Sequence, residues 1–72
     1  MNIPITEVAS SSLISGDGYD YDNETLAIRF HGGVVYHYRG CSPAMWEAYA
    51  TAPSKGKYFH AHIKHNLQGE KQ

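Results

Sequence analysis

Seventy-two residues carry six Lys and Arg against seven Asp and Glu, a formal charge of −1, with 42% hydrophobic residues and one cysteine. A chain this short buries only about 60% of the surface its unfolded form exposes, so it can build one core and reads as a single domain over residues 1–72. The near-neutral charge argues against strong sequence-independent attraction to a phosphate backbone, the lone Cys41 excludes an internal disulfide, and no run of 18 apolar residues is present to span a membrane.

The segment from Glu7 to Tyr21 is rich in Ser and Gly, with apolar surface only at Val8, Leu13, Ile14, Tyr19 and Tyr21. It reads as a strand interrupted near Gly16 and Gly18, since glycine inside a strand pattern marks a bulge or a close backbone approach. Asp22-Asn23-Glu24-Thr25 is a polar turn to the next strand. Leu26, Ile28 and Phe30 then alternate with Ala27 and Arg29, and Val34, Tyr36 and Tyr38 with Val35 and His37, which is the period-2 pattern of strands.

Side-chain parity decides the turn between these two runs. A two-residue Gly32-Gly33 turn would set Phe30 against Val35 and Ile28 against His37, mixing the faces. A three-residue loop, His31 to Gly33 with Gly33 left-handed, sets Phe30 against Val34, Ile28 against Tyr36 and Leu26 against Tyr38. The longer loop is therefore expected, and it sends Tyr36 and Tyr38 to the core face. The opposite face would carry Asp20, Arg29, Val35, His37 and Arg39.

Ser42-Pro43 reads as a helix start, with Ser42 as cap and Pro43 at the first helical position. Met45, Trp46 and Tyr49 follow at helical spacing, and Pro53 ends the helix. A second helix starts from Ser54, with Phe59, Ile63 and Leu67 as its buried stripe and Lys57, His60 and Lys64 on its outer side. The core spans about residues 8–66, and the tail, 68–72, is expected to fray. The order predicts an α+β fold, a three-stranded antiparallel meander followed by two short helices packed on one face.

The ordered set of residues resembles the KTSC domain, a short module fused to the C-terminal end of some lysyl-tRNA synthetases and found alone in bacterial and phage proteins. Its carriers are Ser10 to Ser12, Gly18-Tyr19-Asp20, then Leu26, Ile28 and Phe30, then Gly33 and Tyr36-His37-Tyr38. They continue with Pro43 before an aromatic-bearing helix and close with Ser54-Lys55-Gly56-Lys57-Tyr58-Phe59 and Ile63-Lys64. The chain departs from the pattern at Cys41-Ser42, where Val-Pro is usual, at His60, where Asn is common, and near Leu67, where Tyr is frequent. The resemblance implies the fold and, through the synthetase fusion, RNA as a partner; it implies no established activity.

The residues 1–28 hold Glu7, Asp17, Asp20, Asp22 and Glu24 and no Lys or Arg, whereas every Lys, Arg and His follows. Ser54-Lys55-Gly56-Lys57 opens a helix with two lysines, an anion seat in prospect, or else an ordinary capped helix with solvated lysines. It lacks the longer glycine span of a P-loop. The candidate nucleic-acid or anion contacts are therefore Arg29, His37, Arg39, Ser54, Lys55, Gly56, Lys57, His60 and Lys64. A small adaptor or inhibitor acting through protein contacts is the alternative, with Trp46 and Tyr49 as candidate anchors.

No catalytic set, cofactor or metal is expected. On an α-helix His60 points about 160° from His62, which defeats joint coordination with His65. Cys41 has no orienting partner, and Asp20 and Asp22 suit a turn. The start, Met1-Asn2-Ile3-Pro4, lacks the regions of a secretory signal, so a cytoplasmic protein is expected, as a monomer or a weak homodimer through an open strand edge, with no membrane contact.

Overall fold

The computed structural model describes residues 2–72. A single antiparallel sheet runs in chain order through β1 (Thr6–Glu7), β2 (Ile14–Asp20), β3 (Thr25–Phe30), β4 (Val35–Arg39) and β5 (Gly69–Lys71). Between the last two strands come α1 (Pro43–Ala50) and α2 (Lys55–Tyr58), the latter continuing as a π-helical turn over Phe59–Ile63. The predicted α+β architecture with helices on one sheet face is present, and the sheet has two more strands than the predicted three.

The central hairpin has the register that parity demands. Leu26 faces Tyr38 and Ile28 faces Tyr36, and the Phe30 N–H donates to the Val34 carbonyl at 2.9 Å. Gly32 and Gly33 both have positive φ, 101° and 93°, so the loop depends on glycine at two positions. Leu26 and Ile28 are fully buried with Ile14, Cys41, Tyr49 and Ile63, and Phe59 sits between the rings of Phe30 and Tyr38, 5.5 and 5.3 Å away.

The predicted Glu7–Tyr21 strand is instead two elements. Thr6 and Glu7 turn back to pair with Asp17 and Gly16, and the register of β2 against β3 shifts between Ile14 and Gly16, a bulge. Gly18 has the close approach: a Cβ there would lie 2.0 Å from the Pro4 carbonyl oxygen, because residues 3–5 pass over that face of the sheet. Ile3 is buried by this crossing, and Ala27 and His37, next to Gly18 in the same cross-strand row, are buried too.

Both helix starts follow the sequence reading. The Ser42 hydroxyl accepts from the Met45 N–H at 3.2 Å and the Ser54 hydroxyl from the Lys57 N–H at 3.3 Å. The second helix widens at Phe59, whose carbonyl accepts from the Lys64 N–H at 2.9 Å across five residues. Phe59 and Ile63 still face the core and Leu67 packs against it. The tail, expected to fray, is placed as an edge strand: Gly69 pairs with Tyr38 and Lys71 with Tyr36, and the Gln72 N–H donates to the Val35 carbonyl. A glycine suits the first of these positions because the Tyr38 ring lies against it, 2.6 Å from where a Cβ would stand.

Candidate functional site

An open groove of about 930 Å³ lies between the loop Ser10 to Leu13 and the start of α2, with Ala50, Ala52 and Pro53 on one side and His60 and Ala61 of the π-helical turn completing its lining. The loop has a fixed shape. Ser11 Oγ accepts from the N–H groups of Leu13 and Ile14, at 3.2 and 3.0 Å, and the His31 ring nitrogen Nε2 lies 3.0 Å from the Ser11 carbonyl, to which it donates. Gly56 faces this loop: a Cβ added there would come within 3.5 Å of Ser11 Oγ.

Five of the nine predicted anion contacts meet in this groove, namely Ser54, Lys55, Gly56, Lys57 and His60. Lys57 and His60 are exposed, and among the described residues Lys57 has no carboxylate partner. Lys64 is exposed further along the chain and outside the lining.

Arg29, His37 and Arg39 lie on the other face of the sheet and do not join them. The Arg29 guanidinium donates to Glu7, to the Ser15 hydroxyl at 2.9 Å and to the Ser15 carbonyl at 2.9 Å. Arg39 pairs with Glu70 at 3.1 Å. His37 is 6% exposed, and burial, with Arg39 nearby, lowers its pKa from the ordinary 6.5. The predicted polar surface of two arginines and a histidine is thus tied up in ion pairs and partly covered.

The two aromatic candidates also separate. Tyr49 is fully buried, so its place is the core and not a surface anchor. Trp46 is half-buried and stacks on Tyr19 at 5.2 Å with 3° between the rings, while the exposed Tyr21 meets the edge of Tyr19 at 4.8 Å. The Tyr19 hydroxyl donates to the Cys41 carbonyl, and burial pushes its pKa up to about 12.

One residue of the site was absent from the sequence candidates. Asp17 is 4% exposed, and its Oδ2 accepts from both the Tyr49 hydroxyl and the Lys55 ammonium, each at 2.9 Å. Parity had the signal: Asp17 is two residues from Tyr19, and it pairs directly with Ile28, whose side chain is core. A carboxylate on that face requires a cation or donors, and Lys55 and Tyr49 supply them. Among the described residues, no three His, Cys, Asp or Glu side chains converge as a metal set, and no helix is long and apolar enough to cross a membrane.

These features define a class, a small α+β domain whose antiparallel meander carries two short helices and an open serine- and lysine-lined groove on one face. The KTSC domain model matches residues 10–66. A crystal structure of a KTSC domain protein from Yersinia pestis superposes with a TM-score of 0.88 at 33% identity, covering 99% of each chain. A lysine–tRNA ligase of Nostoc punctiforme is 37% identical over 59 residues, 82% of this chain but 10% of that protein, so the chain spans about a tenth of the ligases it matches. A protein of Tsukamurella paurometabola is 35% identical over 54 residues, 75% of this chain and 81% of its own. The chain belongs to the KTSC domain family, a small domain that also occurs within lysine–tRNA ligases.

Proposed function

We propose that this domain is a non-enzymatic binding module that holds single-stranded RNA by its phosphates in the groove between Ser10–Leu13 and α2. The observation that carries the reading is the convergence of Lys57, His60 and the Ser10, Ser11 and Ser12 segment on one open groove. Cations and hydroxyls are the donors that phosphate oxygens take. The lining includes no Phe, Tyr or Trp, and His60 is the single aromatic ring there on which a base could stack, so the expected recognition follows mainly the backbone and is tolerant of sequence. The domain's occurrence in lysine–tRNA ligases, enzymes that act on tRNA, supports an RNA partner. The arginine face contributes nothing in this reading, because its charges are already paired.

The test is a titration of the isotope-labelled protein with a short oligouridylate at low salt, followed by amide NMR. Shifts are expected at Ser10 to Leu13 and Ser54 to Ala61 and not at His37 or Arg39. Lys57→Gln should flatten the dependence of log affinity on log salt by about 0.7, the contribution of one single-strand phosphate contact. Silence of the groove amides would refute the reading. Shifts confined to Tyr21 and Trp46, with a protein partner in place of RNA, would favour the adaptor alternative, which the aromatic row Tyr21–Tyr19–Trp46 supports.

A further inference from the structure

Lys55 and Lys57 both line the groove, yet they differ in the charge they can offer. The Lys57 ammonium is without an acidic partner among the described residues, whereas Lys55 is held from beneath. Its Nζ donates to Asp17 Oδ2 at 2.9 Å and lies 5.4 Å from the centre of the Tyr49 ring, and the Tyr49 hydroxyl donates to the same carboxylate oxygen. The Asp17 side chain is 5% exposed and that of Lys55 24% exposed. Counting lysines and carboxylates, two ammonium groups less one carboxylate leave the groove a formal charge of +1.

We propose that Asp17 sets the charge of the groove and thereby its ligand class: the singly charged phosphodiester of a strand interior, in preference to the doubly charged phosphate of a nucleotide or a strand end. The inference rests on the RNA reading above. One free ammonium matches the single charge of a phosphodiester. The second charge of a phosphomonoester, which ionises near pH 6, would meet no second free ammonium, and the lining beside Lys57 is hydroxyl from the serines, the imidazole of His60, and apolar from Ala61, Leu13 and Pro53. Because the groove is open to water, the preference is modest, about two- to fivefold, as for exposed charge pairs.

The experiment compares affinities of the full chain for an oligouridylate, for the same strand with a 5′-phosphate, and for uridine monophosphate, over a range of salt. The wild-type protein should gain nothing from the 5′-phosphate. Asp17→Asn, which keeps the side-chain shape, should release the Lys55 charge, strengthen binding of the 5′-phosphorylated strand about two- to fivefold, and steepen the salt dependence by about 0.7. Tyr49→Phe, which loosens the same cluster without changing its charge, should alter neither quantity.

The double variant Asp17→Asn with Lys55→Gln keeps the groove at +1, and it should bind as the wild type does. A clear loss of affinity in it would show that Lys55 already serves the ligand and would overturn the inference, as would a wild-type preference for the 5′-phosphate. If the oligouridylate binds in the groove and Asp17→Asn changes neither preference nor slope, the inference alone falls. If no probe moves the groove amides, the RNA reading falls and this inference with it.

Discussion

His37 occupies the residue position where the pattern of the chain and its environment are furthest apart. It alternates with Tyr36 and Tyr38 as an outward-facing strand residue should, yet residues 3–5 cross that side of the sheet and its neighbours in the row, Gly18 and Ala27, leave little water around it. Burial lowers its pKa in the folded protein relative to the ordinary 6.5. Above about pH 6.5 the imidazole is neutral in both states and stability is full. As the pH falls below that value the unfolded chain takes up the proton more readily than the folded one, so stability declines, and the decline ends once the folded value is passed. The melting temperature should therefore drop between pH 7.5 and 5.5, and His37→Gln should reduce the drop. An equal drop in that variant would assign the effect elsewhere.

Among the elements, legibility tracks how local the determining contacts are. The β3–β4 hairpin, the Ser42 and Ser54 caps and the Phe59–Ile63 stripe were all readable, because each is settled by residues within a few positions of one another. The two edge strands were not. Two residues in β1 and three in β5 are too few for a period, and both strands exist only because a partner strand is already in place. The π-helical turn is likewise unannounced in the pattern, since Phe59 and Ile63 four apart fit an α-helix equally well.

The crossing of residues 3–5 depends on Gly18 lacking a side chain, and only the hint of a close approach was visible. Gly18→Ala would drive a methyl group to within 2.0 Å of the Pro4 carbonyl oxygen, backbone that cannot swing away as a side chain does. This variant is expected to lose about 1–3 kcal/mol of stability and the nuclear Overhauser contacts between Ile3 and residue 18. Urea denaturation at the wild-type midpoint, with those contacts retained, would contradict the packing described here.

Across the whole molecule, the acidic first part and basic second part of the sequence do not become an acidic end and a basic end. Glu7 meets Arg29, Asp17 meets Lys55, and Glu70 meets Arg39, so three of the six Lys and Arg are paired across the fold. This is why the candidate site was only partly legible: residue type identified the cations, but which of them remain available depends on partners far away in sequence. Short, charged edge strands limit pairing between copies. With Glu7 on one edge and Glu70 and Lys71 on the other, the protein is expected to sediment as a monomer at micromolar concentration. A dimer that dissociates on Glu70→Ala would show β5 to be an interface instead.

Cys41 is fully buried, and burial, with Glu24 nearby, pushes its thiol up to about 11. A thiol so placed is protonated at neutral pH and out of reach of any reagent in solution. It becomes reactive only in molecules whose core has opened, and it is the single sulfhydryl in the chain. The rate at which a disulfide reagent modifies the native protein thus reports how often the interior is laid open, giving each variant above a kinetic measure of integrity without any introduced label.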